Sequence, residues 1–224
     1  MHVAQAIESR RSIRDFLPTP VAPEVIRRVL TKAMRAPSGG NLQPWHLHVV
    51  GGERLDELKA IMKRRVAEAP QGDGDNEYDI YPPSLFSPYR ERRYAVGESM
   101  YALLGVGREQ RDKRLAWLTR NYQCFGAPLA LFCSLDRRLG RPQWSDMGML
   151  LQTIMLLLRA EGLDSCSQEA WSTYHKTVRS FLSLPDEHIF FCGMAIGHAN
   201  PDAPVNRLVT ERASLDETVT FLGI

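Results

Sequence analysis

Apolar and polar positions along the chain alternate with two different periods, which predicts helices and strands that follow one another. A short helix opens the chain. Pro23 suits a first helical position, and apolar residues recur behind it at helical spacing up to Pro37. Buried strands are predicted at residues 46–50, 127–133, 163–167 and 189–196, and further helices at about 53–68, 89–120 and 171–182. This order favours one sheet with helices on its faces.

Three other segments stand out in the same pattern. The segment 146–161 is apolar on nearly every side, which predicts a helix buried all round, in the core or against a partner subunit, with Gly162 ending it. Residues 70–88 are polar and rich in proline, which predicts a mobile loop or lid. The tail beyond Asn200 is long enough to wrap over something such as a second subunit. No repeat or linker divides the chain, so we expect residues 1–224 to form a single domain.

Composition narrows the class of protein. With 224 residues, 44% apolar and 24% charged, the chain resembles ordinary globular domains. A net charge of +2 gives no support for nucleic-acid binding. The first residues lack an export signal, so a cytoplasmic location is expected, and the apolar stretch 147–158 is too short to span a membrane. The four cysteines have no C-x-x-C spacing, which predicts reduced, buried thiols instead of a zinc site or a disulfide scaffold.

Several familiar catalytic motifs are missing. The sequence contains no G-x-S-x-G elbow, no H-E-x-x-H, no G-x-G-x-x-G and no P-loop. His46 and His48 would share one face of a strand, but no clustered acidic partner accompanies them, so we predict no metal site. A hydrolase, a metalloenzyme and a Rossmann dinucleotide site therefore have no support in the sequence.

Two polar segments could bind a phosphorylated ligand. Arg10, Arg11 and Arg14 surround Ser12, and guanidinium forks match phosphate oxygens, although a solvated basic run has the same composition. Residues 36–45 carry the side-chain donors and acceptors of Ser38, Asn41 and Gln43, and two glycines that let a ligand approach the backbone. Together the segments indicate a polar, phosphorylated ligand with a heteroaromatic end. The alternative is an ordinary turn that leads into a strand.

The two segments resemble a known pair of motifs. R-R-S-I-R-D-F at residues 10–16 and A-P-S-G-G-N-L-Q-P-W at 36–45 look like the paired signatures of FMN-dependent nitroreductases. Residues 166–171 are similar to the family's strand-to-helix turn, and residues 193–198 with 206–212 resemble its C-terminal signature. The four motifs span nearly the whole chain in the expected order. The likeness is nearest to the nitrobenzoate-reductase type, on residues 81–83, 88–90 and the N-x-x-x-T-x-R tail.

The resemblance implies an α+β fold, a three-layer α-β-α sandwich built as an intertwined homodimer with FMN at the interface. It implies that residues 70–120 form a helical insertion that covers the substrate and that residues 200–224 form a dimer-wrapping tail. Candidate lining residues, each of which could equally be a core residue, are Tyr81, Phe86, Tyr89 and Phe125. A small-molecule oxidant, and neither nucleic acid nor a membrane, is the expected further partner.

It also implies roles for single residues. Arg10, Arg11, Ser12 and Arg212 would hold the FMN phosphate and ribityl chain, and Arg14 would stabilise the reduced flavin ring. The implied ribityl-side contacts, contributed across the dimer, are Pro37, Ser38, Gly39, Asn41 and Gln43.

At Gln168, Glu169 and Ala170 the family presents a backbone N–H to flavin N5. The sequence departs there from the commoner pattern, with Ser167 in place of proline and Ala170 in place of glycine, which leaves the turn geometry open. Trp171 is expected either to line the flavin edge or to be a core tryptophan.

The implied activity is ping-pong: NADH or NADPH gives hydride to FMN, leaves, and is followed by a small organic oxidant such as a nitroaromatic compound. No side chain need act as nucleophile, general acid or metal ligand, because the cofactor carries the chemistry. Reduction of quinones or activated alkenes, reductive dehalogenation and flavin cleavage stay open as alternatives on the same fold. A non-catalytic flavin-binding protein is the alternative of a different class.

Overall fold

Four antiparallel strands form the centre of the computed structural model, which describes residues 1–224. The order across the sheet is β1-β2-β4-β3, so that β1 and β3 are the edges. The strands are β1 His46–Gly51, β2 Leu129–Asp136, β3 Asp164–Gln168 and β4 His188–Gly197. All four predicted strands are therefore confirmed, with β2 extending three residues further than predicted.

Eight helices surround the sheet. Their bounds are α1 Val3–Ser9, α2 Pro23–Ala33, α3 Gly52–Glu68, α4 Tyr89–Leu103, α5 Arg111–Thr119, α6 Arg141–Ala160, α7 His175–Leu182 and α8 Leu215–Thr218. Short 3-10 segments cover Gly39–Asn41, Arg120–Gly126, Glu169–Tyr174 and Pro204–Arg207. None of these helices combines the length and apolar character needed to cross a lipid bilayer.

The side chains of β2 divide between two apolar cores, one on each face of the sheet. Ala130 and Phe132 join the core beneath α3 and α7, whereas Leu131, Cys133 and Leu135 join the core beneath α2 and α6. This alternation follows from the two-residue period of a strand. The fold is accordingly a three-layer α-β-α sandwich of the α+β class, as the resemblance implied.

A β-bulge between β2 and β4 changes which face the side chains of β4 occupy. Cys133 pairs with Cys192, and Ser134 pairs with Phe190, so Phe191 is the extra residue. Phe190 packs on the α3 face, and beyond the bulge Cys192 and Met194 pack on the α6 face. All four cysteines are free and buried, as the sequence predicts.

The long apolar helix differs from its prediction in two ways. It begins at Arg141, five residues early, because Gly140 and Pro142 provide a start signal upstream of the apolar run. Within one chain it is also not buried all round: Met149 and Gln152 are exposed along one face, which leaves burial against a partner subunit as the open alternative. The predicted helix 171–182 is divided likewise, since its first turns form the 3-10 segment Glu169–Tyr174.

Residues 70–88 contain no regular element, but the first half of this segment is anchored. The Asp73 carboxylate accepts hydrogen bonds from Arg65 and from the Thr177 backbone N–H, the latter at 2.8 Å. The Tyr78 hydroxyl donates to the Phe191 carbonyl at 2.5 Å, and burial raises the Tyr78 pKa. Only the second half, which ends at Pro88, presents mainly exposed residues. The predicted mobile loop is therefore tied to α3, α7 and β4 along half of its length.

Candidate functional site

A cavity of about 500 Å³ lies where the two ends of the chain meet. The end of α1 and the following segment form one wall, the tail after residue 207 forms the opposite wall, and α6 contributes one residue. Its polar lining residues are Glu8, Arg10, Arg11, Ser12, Arg14, Gln152, Thr210 and Arg212. The fold thus brings Arg212, near the end of the chain, to the same cavity as the three predicted arginines near its start.

The arginines of this cavity are not neutralised within the chain. No ion pair in the structure involves Arg10, Arg11, Arg14 or Arg212, although seventeen other ion pairs are present. Glu8 is the only acidic residue in the lining. Four guanidinium groups facing one carboxylate leave a local excess of positive charge, which favours an anionic ligand. We call these four residues the arginine cluster.

The N-terminal half of the arginine cluster is fixed by pairing with the sheet edge. Ser12 forms a parallel bridge with Ser165 of β3, and the Ile13 N–H donates to the Ser165 carbonyl at 3.0 Å. Further on, the Phe16 N–H donates to the Phe125 carbonyl at 3.1 Å. Ile13 and Phe16 are buried in the core, so Ser12 and its arginine neighbours point away from it.

The C-terminal half is fixed by a 3-10 turn and by buried apolar residues. Val205 and Leu208 are buried on either side of the end of the Pro204–Arg207 segment. Beyond them, Arg212 donates from Nη1 to the Thr210 carbonyl at 3.1 Å and to its hydroxyl at 2.6 Å. These local bonds leave the rest of the Arg212 guanidinium free toward the cavity.

Cys166 of β3 lies close to the arginine cluster. Burial raises the pKa of its thiol, while the positive charges of Arg14 and Arg10 oppose that increase. A thiol whose pKa is raised stays protonated and unreactive at neutral pH. Cys166 is therefore a packing residue, and the positive charges of Arg14 and Arg10 act on it at β3.

The predicted loop 37–43 is well ordered but does not line this cavity. The Gln43 N–H donates to Ser38 Oγ at 2.9 Å, and Gln43 Nε2 donates to the Asn41 carbonyl at 3.3 Å. Asn41 and Gln43 have positive φ angles of 57° and 50°, which fit a tight polar turn. Four residues of the loop are exposed, namely Pro37, Gly39, Asn41 and Gln43, and Ser38 is half-buried. The structure therefore separates the loop from the arginine cluster within one chain.

Asp146 supports this loop and was not singled out by the sequence reasoning. Its Oδ1 accepts a hydrogen bond from the Gly39 N–H at 3.2 Å, and its Oδ2 is buried without a partner. The side chain is only 3% exposed. The available signal was a lone carboxylate in the otherwise apolar segment 146–158, which is costly to bury unless it has a partner.

The predicted turn at Gln168 links the sheet to a 3-10 segment. The buried Gln168 side chain donates to the Asn121 carbonyl at 2.7 Å and accepts from the Trp171 indole at 3.3 Å, so it is occupied by the protein. Glu169 and Ala170 open the 3-10 segment, and their N–H groups have no partner within it. Desolvation raises the Glu169 pKa above its ordinary value.

Two of the proposed lining aromatics are core residues. Phe125 is 2% exposed and Trp171 is fully buried, and both belong to the core beneath α3. Of the two alternatives expected for each residue, the structure therefore favours the core position. Tyr81, Phe86 and Tyr89 are instead about half exposed. Phe86 and Tyr89 form an edge-to-face pair with ring centroids 5.2 Å apart.

A second cavity, of about 440 Å³, joins the insertion to the arginine cluster. It shares Leu208, Val209, Thr210 and Arg212 with the first cavity, and α4 supplies Arg92, Ala95, Val96 and Ser99 to its other wall. Helix α4 belongs to the predicted insertion at 70–120. The insertion is therefore placed against the C-terminal wall of the candidate site.

The histidines predicted to share a strand face do so. His46 stacks against His188 of β4 with ring centroids 4.2 Å apart, and burial together with the neighbouring His46 lowers the pKa of His48. No group of three or more His, Cys, Asp or Glu side chains is arranged to hold a metal ion.

Residues 7–198 match the profile described as the Nitroreductase family. Among curated proteins, "Nitrobenzene nitroreductase" of Ectopseudomonas oleovorans is 34% identical over 96% of this chain and 95% of its own length. "4-nitrobenzoate reductase" of Pseudomonas putida is also 34% identical, over 97% of this chain and 94% of its own length.

Solved structures agree in fold over the full length. The FMN and NADPH-dependent nitroreductase NfnB from sphigopyxis sp. strain HMH superposes with a TM-score of 0.95, at 45% identity and complete coverage of both chains. The FMN-dependent nitroreductase NfnB from Mycobacterium smegmatis, solved in complex with NADPH, has a TM-score of 0.92 at 32% identity, covering 98% of this chain and 97% of that one.

Proposed function

Because the chain belongs to the nitroreductase family, we propose that it is an FMN-dependent oxidoreductase that takes electrons from NADPH or NADH and reduces small nitroaromatic compounds. The observation that carries this proposal is the convergence of four unpaired arginines on one cavity. Relatives named for nitrobenzene and 4-nitrobenzoate reduction support the substrate class. The similar structures are of FMN-dependent nitroreductases, one of them NADPH-dependent and the other solved with NADPH, which supports the cofactor and the electron donor.

The arginine cluster fits the phosphate end of FMN. Guanidinium groups bind phosphate oxygens bidentately, and the hydroxyls of Ser12 and Thr210 in the same cavity add neutral donors. A volume of about 500 Å³ lies within the usual range for sites that bind small molecules and cofactors. Arg10, Arg11, Ser12 and Arg212 would thus hold the phosphate and ribityl chain.

FMN, when bound, supplies the two-electron hydride chemistry that no side chain in this cavity could perform. The protein's own residues bind and tune it. Arg14 would hold a positive charge beside the flavin ring, where a fixed cation favours the uptake of electrons. The backbone N–H groups of Glu169 and Ala170, which lack partners within their 3-10 segment, would serve as donors toward the flavin ring.

We propose further that two copies of the chain complete each site. Loop 37–43 is rich in hydrogen-bonding groups yet lies away from the arginine cluster of its own chain. Pro37, Ser38, Gly39, Asn41 and Gln43 would contact the FMN held mainly by the partner subunit. Such an assembly would cover exposed apolar residues of α6 and the tail, which removes apolar surface from water. They include Met149, Val209, Leu215, Phe221, Leu222 and Ile224.

The insertion at 70–120 would cover the oxidant. Its α4 borders the cavity that adjoins Arg212, and its exposed aromatic side chains offer flat apolar surfaces to an aromatic substrate. We therefore propose Tyr81, Phe86 and Tyr89 as substrate-facing residues, whereas Phe125 is excluded by its burial.

The test begins with the absorption spectrum of the purified protein, before and after incubation with FMN and gel filtration. We expect retained flavin absorbance in the visible region at one FMN per chain. The oxidation of NADPH and of NADH is then followed with 4-nitrobenzoate or nitrobenzene as acceptor. A colourless protein that takes up no FMN would contradict the proposal, and a yellow protein without turnover would identify a non-catalytic flavin-binding protein.

A further inference from the structure

Asn206 connects the two walls of the cavity that holds the arginine cluster. Its Oδ1 accepts a hydrogen bond from the Arg14 backbone N–H at 2.9 Å. Its Nδ2 donates to the Asp15 carbonyl at 2.7 Å and to the Asn200 carbonyl at 2.9 Å. The side-chain amide is therefore engaged with three backbone groups, and the bonds to Arg14 and Asp15 span 192 and 191 residues of sequence. Asn206 thereby links the backbone of the N-terminal segment, at Arg14 and Asp15, to the C-terminal segment that carries Asn200 and Asn206 itself.

We call the contact of Asn206 with Arg14, Asp15 and Asn200 the junction. The Asp15 carboxylate extends it to a third segment, which carries Arg120. Its Oδ1 accepts from Asn200 Nδ2 at 3.0 Å, and its Oδ2 accepts from Arg120 Nη2 at 2.8 Å. The Asn200 backbone N–H also donates to the Asp15 carbonyl at 3.0 Å. The Asp15 carboxylate forms its ion pair with Arg120. It therefore does not neutralise Arg14, its neighbour in sequence, or the rest of the arginine cluster.

The position of the junction gives it a role in ligand binding. Arg14 lines the cavity, and Asn206 binds its backbone N–H. Arg212 lines the same cavity and lies six residues after Asn206 in the sequence. Guanidinium groups bind phosphate well only when they are held in place, because ordering a free side chain offsets much of the gain. A loss of the Asn206 bonds would let the two halves of the arginine cluster move apart.

We propose that Asn206 is a positioning residue that sets the distance between Arg14 and Arg212, and so tunes both the affinity for FMN and the electrostatic environment of the flavin ring. The inference rests on the proposed function for its ligand, whereas the hydrogen bonds themselves belong to the folded chain. Asn206 needs no contact with the ligand for this role, because it acts through the backbone of Arg14 and through the segment that carries Arg212.

The decisive variant is Asn206→Asp. The substitution keeps the size of the side chain and an acceptor for the Arg14 N–H, but it replaces two donated hydrogen bonds by a charged oxygen that faces two carbonyl groups. Asn206→Ala removes all three bonds. Asn76→Asp, at an exposed position in the 70–88 loop, is the matched control for the change in charge.

Three measurements separate positioning from general stability. The Kd for FMN, followed by flavin fluorescence, is expected to rise roughly tenfold or more in Asn206→Asp, and to stay unchanged in Asn76→Asp. The midpoint potential of FMN in Asn206→Ala saturated with the cofactor is expected to fall, because this variant adds no charge and releases the Arg14 backbone from its hydrogen bond. Amide hydrogen exchange at Arg14 is expected to quicken in FMN-free Asn206→Ala.

The outcomes distinguish this inference from the proposed function. A wild-type protein that binds no FMN defeats the proposed function, and the exchange rate at Arg14 still decides whether Asn206 holds that backbone. A weaker affinity with an unchanged potential would reduce Asn206 to a structural residue and overturn the proposal. Wild-type affinity in Asn206→Asp and wild-type potential in Asn206→Ala would overturn it as well.

Discussion

The arginine cluster and loop 37–43 are both polar and both resemble cofactor-binding motifs, but the fold treats them differently. The cluster is assembled within one chain: its members converge on one cavity and have no acidic partners. The loop is organised by the internal Ser38–Gln43 hydrogen bond and by the Asp146–Gly39 bond to α6, and none of its residues lines that cavity. One chain therefore assembles the arginine cluster by itself, whereas the role proposed for the loop requires a second copy of the chain.

The largest effect is expected from removing charge from the arginine cluster. In the double variant Arg10→Ala/Arg212→Ala, FMN affinity should fall by about a hundredfold or more, because each charge-assisted hydrogen bond contributes about 1.5–3 kcal/mol. Flavin fluorescence titration measures the change. Arg27→Ala/Arg207→Ala removes two exposed arginines that line neither cavity of the candidate site and form no ion pair, and should bind FMN normally. Equal losses in both pairs of variants would show that net charge alone attracts FMN.

The second prediction tests whether the loop serves the partner. Gly40 has a φ angle of 57°, and Gly40→Val should distort the loop because a β-branched residue is strained there. Neither a homodimer of Gly40→Val nor one of Arg10→Ala/Arg212→Ala should retain FMN. After unfolding and refolding of the two chains together in equal amounts, about a quarter of the sites should recover FMN, since half of the dimers then hold one intact pair of halves.

No recovery in that mixture would place the loop and the arginine cluster of one site on the same chain. A mixture of wild type with Arg10→Ala/Arg212→Ala, in which half of the sites should remain intact, is the control for refolding.

The third prediction concerns the support beneath the loop. Asp146→Asn removes a buried charge that has no cationic partner, so the FMN-free protein should unfold about 2–4 °C higher, as expected for about 1 kcal/mol in a chain of this size. FMN binding should weaken several-fold, because Gly39 loses a charged acceptor. Thermal unfolding and fluorescence titration measure the two effects. Asp79→Asn, at an exposed position, should change neither, and a destabilised Asp146→Asn would mean that Oδ2 has a partner in the assembled protein.

The smallest effect is expected at the turn beside β3. Desolvation raises the Glu169 pKa above 4.5, so the folded protein holds this proton to higher pH than the unfolded chain does. Stability linked to Glu169 is therefore present at low pH and is lost as pH rises through the raised pKa. Glu169→Gln should remove this loss and unfold slightly higher than wild type at pH 7.5, with little difference at pH 4.5.

Solvent exposure of the Glu169 side chain keeps the effect small. Glu53→Gln, another exposed carboxylate, is the control, and a larger gain at pH 4.5 than at pH 7.5 would contradict the sign of the shift.

Much of this protein is determined by local sequence. The apolar run of β2, the helical spacing after Pro23 and the glycine at 162 are local signals, and the structure confirms the elements that they predict. The polar composition of residues 10–14 and 37–43 likewise pointed to the candidate site before any fold was known. Local pattern was less informative for residues 171–182, where a 3-10 segment and a helix share one apolar periodicity.

Other features were decided only by tertiary structure. The burial of Phe125 and Trp171 depends on α3 and the sheet packing over them, which no local pattern records. The anchoring of loop 70–88 depends on Arg65, which is near in sequence, and on Thr177 and Phe191. The last two lie 104 and 113 residues after the loop residues that they bind. Asp146 binds Gly39, 107 residues away, and Asn206 binds the backbone of Arg14 and Asp15, more than 190 residues away. Sequence determined which residues could bind an anion, because charge and hydrogen-bonding capacity belong to single side chains. The tertiary structure decided which of them meet, because meeting requires long-range packing and hydrogen bonds that close only when the chain is folded.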